Sequence, residues 1–242
     1  MNPSNSPTPS PAQTLRSAAI LAGTGLLIMA ILAPIAEFGV FQKLIATGDA
    51  KTTTDNISSS AALFRLATCG FLIVAMLDVL VAWALYILLK PADAALSLLA
   101  ACFRLVFSGM FAIALTDLFS VSQLLSGSQR FKMLPAQQLE AQVMLHLDTF
   151  RQGWDIALAF FGLHLPVLGY VTFKSGYVPK FLGLMLIVAG MGYLTDSFGK
   201  LLLPGYSVAI SEVTFIGEVL LMFWLLWKGI KGFAPVLHKH SV

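Results

Sequence analysis

Long uncharged runs alternate with short polar breaks along this chain. Residues 1–14, "MNPSNSPTPSPAQT", are rich in Pro, Ser and Thr, cannot bury a core, and are expected to form a disordered tail. Ser17 to Ala36 then run without a charge between Arg16 and Glu37. A run of about 20 apolar residues crosses the hydrocarbon core of a bilayer. A cleaved signal peptide needs an apolar region of only about 7–15 residues and a small-residue cleavage site. Here the run is longer and Pro34 sits where that site belongs, so a retained helix is expected. Five further spans follow at 63–89, 95–119, 153–173, 181–201 and 211–229.

Two connectors are longer. Residues 42–61 hold "TGDAKTTTDNISSS" and read as a polar loop. In residues 120–152, Leu139, Val143, Leu147 and Phe150 recur at helical spacing, which predicts an amphipathic helix at the membrane surface. The fold class is therefore all-α: a polytopic six-helix transmembrane bundle with an amphipathic surface helix between spans 3 and 4. Helices are the expected spanning element because they satisfy their own backbone hydrogen bonds in lipid. The expected organisation is a 1–14 tail, a 15–232 membrane domain and a 233–242 C-terminal tail, with no internal repeat.

Composition narrows the function classes. The chain is 57% hydrophobic and 11% charged, with a mean hydropathy of +0.83. An average soluble domain carries about 25% charged residues. Much of this surface must face a lipid bilayer, the one partner the composition demands. A net charge of +3 without a basic stripe points to no nucleic acid. Cys69 and Cys102 both lie inside apolar runs and read as packing residues.

Orientation rests on basic residues. Lys and Arg divide seven and seven between the two sides. The compact turns "LKPADA" and "FKSGYVPKF" and the tail "WKGIKG" are the basic short segments, which places both termini in the cytoplasm. A bacterial inner membrane is the expected location, with multiple passes.

Charges inside the spans carry the functional question, because each costs about 2.5–3.5 kcal/mol at mid-bilayer on insertion scales. Asp78, Arg104, His164 and Glu218 lie near mid-span on four different helices and form a candidate polar binding cluster. The second and third spans are joined by a tight turn around Pro91, so they run antiparallel. Depth matching then sets Asp78 opposite Arg104, and Arg65 opposite Asp117. Thirteen residues separate the two charges on each helix and turn them about 140° apart, so one good pair and one looser pair are expected. Such pairs either fix helix register or line a site. A second group, Glu37, Arg65, Asp117, Asp155, Asp196, Lys200 and Glu212, is expected at the outer ends of the helices, as a shared acidic mouth or as ordinary interfacial charge. Asp196 and Lys200 also have the spacing of an intrahelical pair. His164 suits a proton relay through its titration range. The alternative is a satisfied core histidine near the Gly162 carbonyl that Pro166 deprives of its donor.

Walker, H-E-x-x-H and G-x-S-x-G sequences are missing, and one deep histidine is a thin basis for haem or zinc. No cofactor and no metal are expected. Glycines in "LGLMLIVAGMGYLTDSFG" suggest close helix packing.

The run "FFGLHLPVLGYVTFKSGYVPKFLGLMLIVAGMGYLTDSFGKLLLPGY" resembles the bacterial membrane proteins of the domain of unknown function 4386 family. So do "LFRL" (63–66), "LYILLKP" (85–91), "LIATGDAKTTTDNI" and "GEVLLMFWLLWKGIK" (217–231). The resemblance implies a six-span protein, with His164, Asp196 and Glu218 on positions the family fills with those types. The resemblance also implies, for many members, an Asp six residues after the "FRL" arginine; this chain has Phe71 there and Asp78 seven residues on. The family supplies no activity.

Three functions fit. A small transporter or membrane-embedded binding protein would place the deep cluster in a polar cavity, with Pro166 and Gly169 kinking a helix. Six spans without a visible repeat would then need a homodimer. An intramembrane enzyme on a lipid-like substrate would use His164 as general base, and lacks a visible nucleophile. A structural or interaction protein would use the charges for packing alone. Catalysis is the less favoured class, and no catalytic residue is assigned.

Overall fold

In a computed structural model, residues 10–127 and 134–233 are described, and they form helices joined by short turns. The helices are α1 (Pro11–Ala36), α2 (Gln42–Leu44), α3 (Ala50–Ser59), α4 (Ala61–Leu89), α5 (Ala94–Leu124), α6 (Ala136–Lys174), α7 (Lys180–Leu202), α8 (Ser211–Thr214) and α9 (Ile216–Lys231). Six helical stretches among the described residues are long and apolar enough to cross a membrane. The protein is an all-α, multi-pass membrane bundle.

Helix α1 packs on α4, and α4, α5, α6, α7 and α9 follow as successive neighbours until α9 returns to α1. The spans thus close a ring in chain order, and their inward faces meet at its centre. Small residues bring the backbones together. A Cβ on Gly169 or on Gly183 would meet the other's carbonyl at 2.5 Å, so α6 and α7 touch there main chain to main chain.

Helix starts follow local chemistry. Pro11 occupies the first turn of α1, and Ser10 and Gln13 exchange the two bonds of a capping box. Residues 11–14, expected in the tail, are therefore helical; residues 1–9 of that tail lie outside the described residues. Most of the expected C-terminal tail, 234–242, also lies outside them. Asp93 caps α5 by accepting the Leu96 amide at 3.1 Å and takes Lys174 at 3.0 Å. The amide bond first, and the lysine second, hold its carboxyl below the usual range.

Two connectors differ from expectation. The 42–61 segment is largely helix, because Asp49 caps α3 through Thr52 and the Thr53 hydroxyl ties back to Ala46. The amphipathic segment does not lie on the surface as a separate helix. It is the first half of α6, continuous for 39 residues. At about 1.5 Å per residue that helix is about 58 Å long, well beyond a hydrocarbon core of about 30 Å. Its apolar stripe seeks protein rather than lipid: Val143, Leu147 and Phe150 are all buried. Phe150 meets Phe41, Phe71, Phe111 and Trp154. A π-helical turn at Glu37–Phe41 extends α1 and brings Phe41 parallel to Phe71, ring centres 5.3 Å apart.

Candidate functional site

Asp78 on α4, Arg104 and Ser108 on α5 and His164 on α6 face the ring centre and are at most 3% exposed. Arg104 donates to Asp78 Oδ1 through Nε at 2.9 Å and through Nη2 at 2.5 Å. The Ser108 hydroxyl, one turn from Arg104, donates to Asp78 Oδ2 at 2.6 Å. Depth matching in the α4–α5 hairpin brings the Asp78–Arg104 pair together. The guanidinium also lies 5.2 Å above the Phe161 ring.

His164 completes this network. Its Nδ1 is 2.8 Å from the Ala100 carbonyl, and its Nε2 is 3.3 Å from Arg104 Nη1. A carbonyl only accepts and a guanidinium only donates. Nδ1 therefore carries the proton, Nε2 is the acceptor, and the ring is neutral. Its carbonyl partner is Ala100 on α5, not the Gly162 carbonyl freed by Pro166; that oxygen faces Gly190 on α7. With both nitrogens engaged, His164 has no free lone pair for general base catalysis.

Glu218 stands apart from the other three. It lies just after an interruption of the sixth span at Phe215, where α8 stops and α9 begins. There the Glu218 amide bonds the Phe215 carbonyl, three residues back, at 2.9 Å. Asp78, Arg104 and the Tyr193 hydroxyl lie within electrostatic range of its carboxyl. Its Oε1 is fully buried without a hydrogen-bond partner among the described residues, and so is Thr214 Oγ1 one turn earlier. Among those residues no three of His, Cys, Asp and Glu are grouped to hold a metal ion.

The model of the domain of unknown function 4386 matches residues 21–229. This chain belongs to that family. An uncharacterized protein of Archaeoglobus fulgidus is 36% identical over 162 residues, covering 67% of this chain and 83% of the relative. No solved structure matches. Family membership agrees with an integral membrane protein and assigns no chemistry.

In this family member the outer charges resolve into separate contacts. Arg65 and Asp117 do not pair: Arg65 Nε bonds its own helix at the Ala61 carbonyl, and Asp117 holds His146 Nδ1 at 2.7 Å. The 140° offset from the deep pair turns the two residues apart. Glu37 takes Arg151 at 2.8 Å, and Asp155 takes Lys200 at 2.7 Å. The latter pair borders a cleft of about 410 Å³ between α6 and α7, which Ile156, Phe160 and Leu201 also line. Asp196 does not pair with Lys200. It accepts Tyr206 Oη, the amides of Ile210 and Ser211 and the Ser211 hydroxyl at 2.6–3.0 Å. That bond raises the Tyr206 phenol above its ordinary range. Glu212 is exposed on α8. Sequence reasoning missed Ser108, Tyr193 and Thr214. Ser108 was findable four residues after Arg104; the other two needed the α7–α9 contact.

Proposed function

We propose that this chain is a small transporter built around a membrane-embedded binding site, with Glu218 as the group that meets the ligand. One observation carries the reading: of four deep ionisable residues, three saturate one another, while Glu218 keeps a buried oxygen free beside a break in a spanning helix. A buried polar atom without a partner is costly and calls for a role. Interrupted helices carrying polar groups at mid-membrane are the usual construction of secondary transporter sites. In this reading Asp78, Arg104, Ser108 and His164 hold the ring of helices in register, and Glu218 works against that fixed wall. The bilayer is its solvent, and a homodimer is the assembly that steadies one such six-span unit.

The reading is tested by proton-coupled flux in proteoliposomes containing a trapped pH dye under an imposed gradient. Wild-type protein should dissipate the gradient faster than empty vesicles, and Glu218→Gln should return the rate to that of empty vesicles. Equal rates for wild type and Glu218→Gln would remove Glu218 from the path. The same reading takes a bacterial inner membrane with both termini cytoplasmic, supported by the short basic turns. A periplasm-active phosphatase fused after Gly232 should be silent; activity would reverse the orientation.

A further inference from the structure

The proposed transport reading leaves open what Glu218 binds, and the charge balance of the deep site narrows it. Asp78 and Arg104 cancel as one ion pair, and His164 is neutral by the chemistry of its two partners. Glu218 is the remaining ionisable group, so once its carboxyl gives up its proton the site has room for one positive charge. The oxygens around it are of one kind. Thr214 Oγ1 and Glu218 Oε1 are both buried and both unpartnered, and they lie four residues apart across the helix break. The Tyr193 hydroxyl on α7 adjoins the same carboxyl. Gly192, next to Tyr193, makes the approach possible: a Cβ at Gly192 would collide with Thr214 Oγ1.

We infer that these oxygens form a site for a single monovalent inorganic cation of sodium's kind. This rests on the reading of Glu218 as the ligand-facing group. A carboxylate and hydroxyls are hard oxygen donors, which suit alkali and alkaline-earth ions rather than thiophilic or imidazole-seeking metals. One carboxylate neutralises one charge. A divalent ion would leave a positive surplus in low dielectric, close to Arg104. An interrupted helix supplies further oxygen, because the Glu218 amide bonds Phe215 and so leaves the regular bonding ladder at Thr214. The turn at Phe215 keeps helical dihedrals and only tightens, so the oxygen it offers beside the carboxylate is the Thr214 carbonyl, and oxygens of this kind hold sodium in transporter helices. Bound there, the cation would tie α8 and α9 to α7 and close the break.

Equilibrium binding of radioactive sodium to the purified full-length protein, at constant ionic strength set with choline chloride, tests this. Saturable binding of one sodium per chain is expected. Glu218→Gln should abolish it, and Thr214→Ala should weaken it by about tenfold, the loss of one good ligand. Glu212→Gln, on the exposed side of α8, should bind as wild type does. Non-saturable binding, or equal binding by wild type and Thr214→Ala, overturns the inference. The Thr214 variant keeps the test decisive if Glu218→Gln does not fold. Sodium binding without proton-coupled flux would sustain the site and remove the transport reading. Flux without sodium binding would do the reverse.

Discussion

Arg104→Met should destabilise the protein by about 3–5 kcal/mol, and the double variant Asp78→Leu/Arg104→Met should recover most of that loss. Asp78 is completely buried and takes two of its three hydrogen bonds from Arg104. Removing only the cation leaves an uncompensated carboxylate in the ring centre, with Ser108 as its one remaining donor. His164 Nε2 loses its donor in the same step. Removing both charges replaces the pair by apolar groups, an exchange that is often neutral or favourable. Thermal unfolding in detergent of both single variants and the double variant closes the cycle. A double variant as unstable as the sum of the singles would show that the two residues are energetically independent, and would contradict the pairing.

Asp196→Ala should detach the segment between α7 and α8 while leaving the ring intact. Its carboxylate accepts four bonds, all from Tyr206, Ile210 and Ser211. Bonds to a charged acceptor contribute about 1.5–3 kcal/mol each, and bonds from one segment are lost together rather than additively. The Asp196 carboxylate also sits at the start of α8, where exposed amides favour an anion. Amide hydrogen exchange should therefore speed up across residues 203–211, with α5 and α6 unchanged. Asp196→Asn should be intermediate, since it keeps an oxygen and loses the charge. Exchange that rises equally throughout the bundle would mean that Asp196 supports the whole fold rather than this loop.

The spans were legible because a long apolar run has one structural solution in lipid, a helix. The deep pair was legible because a tight turn at Pro91 fixes the depth of both α4 and α5. Periodicity misled at residues 136–152. Leu139, Val143, Leu147 and Phe150 mark an apolar face, but nothing local says whether lipid or protein covers it. The cover is Phe41 and Phe71, far away in sequence and aligned by the π-helical turn of α1. The same aromatic stack explains why position 71 holds a ring: Phe71 packs on Phe41, Phe111, Phe150 and Trp154. For His164 the residue type was informative and its partner was not. Its carbonyl acceptor lies on α5, so only packing could separate it from the nearer Gly162 oxygen. The Glu218 surroundings depend on the turn at Phe215, and the one local signal for it, Gly217, serves equally to bring this helix onto Met185 of α7.

A division of labour between two deep carboxyls is the centre of this account: Asp78 is fully buried and closed, and Glu218 is partly buried and open. Carbodiimide modification of the protein in lipid, followed by peptide mass mapping, compares them within one sample. The account predicts an adduct on Glu218 and none on Asp78, whose oxygens are occupied by Arg104 and Ser108. Modification of Asp78 at a rate equal to or above that of Glu218 would contradict it.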